Sequence, residues 1–210
     1  FKRALFNFGI RLARTIGKEK VANGGDHTVK SRVLSWIGEP LVFRAIKERI
    51  GLRRCRYSAS GAAAIAPEVL EFFMGIGVPV FELYGMTENS AVATCNFAGR
   101  IKLGTVGEPY AGIGLRLDPE TGEIQTKHPG VFVGYWNKPD KTAETFTEDG
   151  WLMTGDVGEW VDGTHVKIID RIKHIIITSG GKNISPSEIE NSLKTSMFVK
   201  EAMVIGDGRK

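Results

Sequence analysis

The sequence has few cysteines, few histidines and no long apolar run. Its two cysteines, Cys55 and Cys95, cannot make a disulfide framework or a zinc site by themselves, and they fit a reducing, cytoplasmic compartment. Its four histidines, His27, His128, His165 and His174, are scattered without the spacing of metal ligands. No apolar run approaches the ~20 residues of a membrane span. No segment repeats and none is of low complexity. The first residues do not read as a secretory leader, because they are basic and amphipathic and lack a long apolar core.

What is present is the composition of a globular protein. Of 210 residues, 42% are hydrophobic and 25% charged, a mixture that excludes a disordered tail. That length holds one large domain or one and a half small ones. The chain starts at Phe1 and stops at Lys210 just after an apolar run, so it is expected to be a piece of something longer. The net charge of +4 is local: residues 1–20 hold six basic side chains and one acid, Glu19, a net of +5 that leaves −1 for the rest. A nucleic-acid protein would spread basic groups over a working face, so no nucleic-acid partner is expected.

Phe1, Leu5, Phe8, Leu12 and Ile16 recur at helical spacing with basic residues between them. This stripe reads either as a membrane-surface helix or as a helix packed on its own protein with a solvated basic face, and the second reading is preferred. Residues 23–31 read as a loop. Residues 39–50 read as a helix with Val42, Ala45, Ile46, Arg49 and Ile50 along one side and Gly51 as its stop. Residues 53–58 are strand-like. Pro67 opens a helix carrying Val69, Leu70, Phe72 and Phe73 that ends near Gly75 and Gly77, and residues 78–84 form a short apolar strand. This alternation predicts an α/β fold with a partly parallel sheet.

Beyond residue 100 the texture changes. Turn signals at Gly112-Ile113-Gly114, Asp118-Pro119-Glu120-Thr121-Gly122, Gly130, Gly134 and Asp149-Gly150 separate short strands and predict an antiparallel, barrel-like unit over about 100–170. It changes again near Asp170. Residues 173–178 read as a strand, Ser185 and Glu188 as a capping box opening a helix, and residues 202–205 as a strand. A domain boundary is expected at Asp170-Arg171. It would divide residues 1–170, the back part of a large domain, from residues 171–210, the front of a small one.

Four segments carry candidate chemistry. Ser60-Gly61-Ala62-Ala63-Ala64 lies between a strand and a helix, where small residues let a flat ligand lie against backbone; a tight turn explains it equally well. Tyr84-Gly85-Met86-Thr87-Glu88-Asn89 ends an apolar strand, the usual place for ligands in α/β sheets. There Gly85 permits close approach, Thr87 offers a hydroxyl for a phosphate oxygen, and Glu88 a carboxylate for a hard cation such as magnesium. In Gly150-Trp151-Leu152-Met153-Thr154-Gly155-Asp156, the aspartate can accept hydrogen bonds from both hydroxyls of a ribose, or it is a simple hairpin residue. Asp170-Arg171 suits a charged hinge. The following Gly180-Gly181-Lys182 is not a phosphate-binding loop, because the upstream glycine is missing and no Ser or Thr follows the lysine.

Taken in order, these segments resemble the adenylate-forming superfamily of acyl-CoA synthetases, luciferases and peptide-synthetase adenylation domains. The motifs that carry the resemblance begin at Ser60, Tyr84, Gly104 (Gly104-Thr105-Val106-Gly107-Glu108-Pro109), Gly134 (Gly134-Tyr135-Trp136-Asn137-Lys138-Pro139), Trp151, Asp170 and Gly181. They span roughly residues 55–206. The run Ile175-Ile176-Ile177-Thr178-Ser179-Gly180-Gly181-Lys182-Asn183-Ile184-Ser185-Pro186 looks most like the long-chain fatty acyl-CoA ligases.

The resemblance implies two half-reactions. A carboxylate attacks the α-phosphate of ATP to give acyl-adenylate and pyrophosphate, and the coenzyme A thiol then gives thioester and AMP. It further implies that Thr87 contacts the α-phosphate and Glu88 binds magnesium. Tyr84 would stack on adenine within the nucleotide-binding run Tyr84, Gly85, Met86 and Thr87, while Gly61 and Ala62 line the adenine and acyl pocket. Asp156 would grip the ribose, Arg171 would support the ribose or phosphate, and Asp170 would be the hinge of a mobile C-terminal domain. Gly181 and Lys182 would lie on the loop that serves the thioester step.

The family's phosphate loop and C-terminal lysine are not found in these residues. The 210 residues alone are therefore expected to bind AMP weakly and to catalyse neither half-reaction at a useful rate. Two alternatives stand beside a fatty acid as substrate partner. One is another carboxylic acid: medium-chain, aromatic or linked to a carrier protein. The other is a non-catalytic module that touches lipid or another partner through its basic first helix.

Overall fold

The computed structural model describes residues 2–63, 65–177, 183–194, 196 and 198–206. Contacts divide the chain into two compact units: residues 1–84 with 94–108, and residues 85–93 with 109–210.

The first unit begins with helix α1, Lys2–Ala22. Most of its apolar stripe packs inward, with Ile16 in the core and Leu5 and Leu12 against it. Ala13 and Ile16 are fully buried, Leu5 and Leu12 are half-buried, and Phe8 is exposed. The most deeply buried residues of α1 are Gly9, Ala13, Ile16, Gly17 and Lys20. The reason is the partner helix α4, Pro67–Gly75, which lies so close that only small side chains fit between the backbones. Lys20 reaches the carbonyl of Met74 near the end of α4 at 3.5 Å, and burial pushes its ammonium pKa down.

Helix α2, Val29–Gly38, occupies part of the segment read as loop. It is capped by Thr28, whose Oγ1 accepts the Ser31 N–H at 3.1 Å. A widened π-type turn over Glu39–Phe43 joins it to α3, Arg44–Arg49. Pro40 has no N–H to donate to the preceding turn, which accounts for the widening. Val42 and Phe43 are buried there and Ile46 half-buried, whereas Ala45, Arg49 and Ile50 face solvent, contrary to the expected stripe. Ala13, Ile16, Val42, Phe43, Ile76 and Val78 form the core, each large side chain contributing about 1.5–3 kcal/mol by burial.

The strand expected at 53–58 is limited to β1, Ser58–Ser60. It pairs in parallel with β2, Val80–Tyr84, which pairs antiparallel with β3, Thr94–Cys95; β4, Glu108–Pro109, completes the order β1-β2-β3-β4. The partly parallel sheet is therefore present. Cys95 is a buried free thiol and Cys55 a half-buried one.

Glu82, mid-strand in β2, buries its Oε2 with no hydrogen-bond partner among the described residues, and burial raises its pKa to about 7. The folded state then binds a proton more readily than the unfolded chain between pH 4.5 and 7. Stability is expected to fall as pH rises through that window. Glu82→Gln should be isoenergetic with the parent at pH 4.5 and more stable above pH 7. The gain is about 1–2 kcal/mol once partial exposure is discounted. Urea melts at the two pH values measure it, and parallel pH profiles would refute it.

The second unit holds the expected turn-rich unit as a curled antiparallel sheet in the order β5-β6-β7-β8. Its strands are β5 (Gly114–Leu117), β6 (Glu123–Lys127), β7 (Leu152–Val161) and β8 (His165–Arg171). Asp118 Oδ1 closes the β5–β6 turn by accepting the N–H groups of Glu120 and Thr121 at 3.1 and 2.8 Å. Ile124, Leu152, Val157 and Val166 are its buried apolar residues. A short helix, α5 (Pro139–Ala143), precedes β7.

After β8 the strand expected at 173–178 is reduced to β9, Ile176–Ile177, because residues 172–174 turn; Thr178 lies outside the described residues. β9 pairs with β10, Asn183–Ile184, ahead of α6, Pro186–Lys194. Ser185 caps α6 as expected, its Oγ accepting the Glu188 N–H at 3.2 Å. Residues 202–205 form no strand; the Val204 N–H donates instead to Glu190 Oε1 at 2.8 Å.

Candidate functional site

The second unit begins at the loop after β2. Gly85 is required there, because a Cβ would lie 2.3 Å from the Ala91 carbonyl carbon. Thr87–Asn89 make one tight helical turn, closed by the Ala91 N–H donating to the Met86 carbonyl at 2.8 Å. Asn89 is fully buried, and its Oδ1 accepts the Met86 N–H at 2.8 Å. Ser90 and Ala91 follow with φ of 58° and 57°, left-handed angles that non-glycine residues adopt at some cost in energy. The result is a rigid loop that leaves Thr87 exposed and Glu88 half-buried.

A second loop fixes Glu88. The Tyr135 hydroxyl donates to Glu88 Oε1 at 2.7 Å, and the Phe132 N–H donates to the Glu88 carbonyl at 2.7 Å. The Ser90 hydroxyl donates to the Gly130 carbonyl at 2.7 Å. Tyr135 is itself held, with its N–H donating to Thr142 Oγ1 at 2.9 Å and its ring edge-on to Phe132 at 4.9 Å. Donation to Glu88 raises the pKa of the phenol. Tyr135 belongs to a motif legible in the sequence, but its contact with a carboxylate 47 positions upstream is visible only in the tertiary structure.

Among the described residues, no group of three or more His, Cys, Asp or Glu could hold a metal ion. A single oriented carboxylate still fits magnesium, which keeps several waters and takes one or two protein carboxylates plus substrate phosphate oxygens.

A further group of functional candidates lies at one end of the β7–β8 pair. Asp156 and Arg171 face each other in register, and Arg171 Nε donates to Asp156 Oδ1 at 2.9 Å. The aspartate is largely buried and the arginine more than half exposed. Thr154 supports the turn: its hydroxyl donates to the Ile124 carbonyl at 2.7 Å, and its Oγ1 accepts the Asp156 N–H at 3.2 Å. Glu123 accepts the Gly155 N–H at 2.7 Å. Burial raises the Glu123 pKa against that hydrogen bond, with Asp118 and Asp156 adding to the rise.

Asp170, the next candidate, is 5% exposed and holds the start of α6. Its Oδ2 accepts the Ser185 hydroxyl at 2.7 Å and the Ser187 N–H at 3.0 Å; its Oδ1 accepts the Arg171 N–H at 2.8 Å and the Ser187 hydroxyl at 2.9 Å. Burial alone would raise its pKa, but these donors outweigh burial and lower it.

In the first unit, Gly61 and Ala62 lie exposed in the loop between β1 and α4, Ala62 with φ of 65°, and Tyr84 closes β2 at 7% exposure. Ala64, Gly181 and Lys182 lie outside the described residues, so the geometry of the expected thioester loop is not part of the structure.

Residues 21–136 match the AMP-binding enzyme family and residues 173–210 match the AMP-binding enzyme C-terminal domain. A putative fatty-acid–CoA ligase, fadD11 of Mycobacterium tuberculosis, is 41% identical over 88% of this chain and 33% of its own. The long-chain-fatty-acid–CoA ligase ACSBG2 of Xenopus laevis is 37% identical over 94% of this chain and 28% of its own. The chain thus spans about a third of the length of the curated relatives it matches. Among solved structures, o-succinylbenzoate CoA synthetase (MenE) of Bacillus subtilis with its acyl-adenylate intermediate OSB-AMP is similar at 31% identity and a TM-score of 0.68. That likeness covers 74% of this chain and 34% of that one. ATP-bound MatB of Rhodopseudomonas palustris is similar at 37% identity and a TM-score of 0.63, over 76% of this chain and 33% of that one.

Proposed function

Because the chain belongs to the AMP-binding enzyme family, we propose that its residues serve the ATP-dependent activation of a fatty acid and its transfer to coenzyme A. The observation that carries this reading is the pairing of an exposed Thr87 hydroxyl with a Glu88 carboxylate aimed by Tyr135 on a rigid loop. That arrangement suits a reaction whose demands are placement and charge neutralisation rather than covalent catalysis by the protein.

In the first step a carboxylate oxygen of the acid bonds to the α-phosphorus of ATP and pyrophosphate leaves. In the second the coenzyme A sulfur bonds to the acyl carbon and AMP leaves. Thr87 donates a hydrogen bond to an α-phosphate oxygen. Glu88 holds magnesium, with Tyr135 fixing the rotamer of the carboxylate; when bound, the ion neutralises phosphate charge. Asp156 accepts from the ribose hydroxyls, and Arg171, already its ion-pair partner, keeps it oriented. Tyr84, Gly85, Met86, Gly61 and Ala62 line the nucleotide and acyl portions. Asp170 is the hinge at residue 170, where the large domain ends and the small one begins, and Gly181 and Lys182 serve the thioester step.

The names of the curated relatives support a fatty acid. Another acid remains the second reading, because MenE is named for o-succinylbenzoate. Isothermal titration of the chain with AMP tests the nucleotide reading. The parent is expected to bind, and Asp156→Ala to bind about tenfold or more weakly, the loss of hydrogen bonds to a charged acceptor. Equal binding by the two folded proteins would remove Asp156 from the site. A panel of acids, assayed for ATP-dependent thioester formation with these residues in a chain of the relatives' length, decides the substrate class.

A further inference from the structure

Helix α2 is built inside out. Its inward side carries Ser31, fully buried, Gly38, also buried, and half-buried Ser35 and Leu34. Its outward side carries Val29 at 84% exposure, Val33 at 55%, Trp36 at 87% and Ile37 at 48%. These four positions are spaced as a single stripe on a helix. A helix packed only within its own protein turns such a stripe inward. Leu41, in the turn that follows, is also exposed. The stripe is flanked on one side by Lys30 and on the other by Arg32, both exposed.

The charge of the surrounding segment is as uneven as the helix. Residues 1–56 hold 14 Lys and Arg against four Asp and Glu, a net of +10, and residues 57–210 hold 14 against 20, a net of −6. Three of those four acids, Glu19, Glu39 and Glu48, are in ion pairs with Lys30, Lys47 and Arg44. Trp at the centre of an apolar stripe with cations along its edges is the pattern of a helix lying in a membrane interface. A second copy of the chain would set one strongly positive segment against another. A nucleic acid would leave the valines and Trp36 without apolar partners. No described helix is long and apolar enough to cross a membrane, so the contact would be peripheral.

We propose that the outward face of α2, centred on Val33 and Trp36, docks on an anionic lipid surface. The apolar stripe enters the boundary between head groups and acyl chains, and Arg32 meets the lipid phosphates. This differs from docking through α1, whose most buried face is spent against α4. It does not depend on the ligase reading.

The test is co-sedimentation of the chain with vesicles of phosphatidylcholine alone and with about a third phosphatidylserine, in a salt series. Going from about 0.1 to about 1 M salt shortens the screening length from ~10 Å to ~3 Å and should release the protein. Arg32→Glu should lower partitioning about fivefold per unit of charge lost. Trp36→Ser and Val33→Ser should each lower it about tenfold or more. Both positions are exposed, so circular dichroism should show unchanged folding, and Trp136→Ser, at an exposed tryptophan of the second unit, should leave binding intact. Several results would each overturn the proposal. They are failure of the folded parent to bind anionic vesicles, binding that ignores Trp36→Ser and Val33→Ser, and a Trp36-dependent dimer in sedimentation velocity without lipid. Shielding of Trp36 from an aqueous quencher in a polypeptide of the relatives' length would do the same.

Discussion

Gly17→Ala should destabilise the first unit by about 3 kcal/mol or more, and Gly75→Ala should do the same. The two glycines are reciprocal. A Cβ on Gly17 of α1 would lie 1.8 Å from the Glu71 carbonyl oxygen of α4, and one on Gly75 of α4 would lie 1.8 Å from the Ala13 carbonyl oxygen of α1. In both cases the obstacle is backbone, which cannot rotate away as a side-chain tip can. The helices would have to separate by about an ångström or more, and every dispersion contact along their interface weakens with that separation. Ala has the higher helix propensity, so a purely local account predicts the opposite sign, a gain of about 1 kcal/mol. Urea denaturation of each variant beside Asn7→Ala, an exposed α1 position expected to stay within about 0.5 kcal/mol of the parent, separates the accounts. A stabilised Gly17→Ala would show that the helices are not in this contact.

Asp170→Ala should cost about 2–4 kcal/mol locally and free the start of α6. The substitution strands three donors, the Ser187 hydroxyl and the N–H groups of Ser187 and Arg171, and leaves the Ser185 hydroxyl only the Ile169 carbonyl. Because the folded pKa of Asp170 is lowered, its contribution is present above the ordinary carboxylate value of 3.8 and is lost as pH falls through the lower folded value. Native-state hydrogen exchange of the α6 amides should rise in Asp170→Ala at neutral pH, and in the parent only in acid. Unchanged exchange would mean that α6 is held by other contacts. The same geometry bears on the proposed hinge. These hydrogen bonds tie residue 170 to the segment after it, and Asp170→Pro in a chain of the relatives' length should separate the adenylation and thioester rates. An equal fall in both would exclude a hinge role.

The motifs were legible because chemistry fixes residue type and spacing. Thr87, Glu88, Asp156 and Asp170 stand out as candidates from their neighbours in sequence. The strand–helix alternation around Pro67 and the turn residues of the antiparallel sheet were found for the same local reason. Large apolar residues mark the core-facing side of α1, where Leu5, Leu12 and Ile16 lie, but not its closest contact. Where two backbones meet closely, the signal is smallness, and Ala13 and Gly17 carry it. The apolar spacing of α2 is helical, but nothing local says that such a stripe faces outward.

The sequence by itself determined the family, the order of the chemical motifs and the division into an α/β part and a turn-rich β part. These depend on residue identity along the chain. Only the tertiary structure decided that Tyr135 aims Glu88, that Arg171 is the ion-pair partner of Asp156, and that Asp170 is a helix anchor. Each of these joins groups distant in sequence, and hydrogen bonds and ion pairs depend on distances of a few ångströms that folding alone sets.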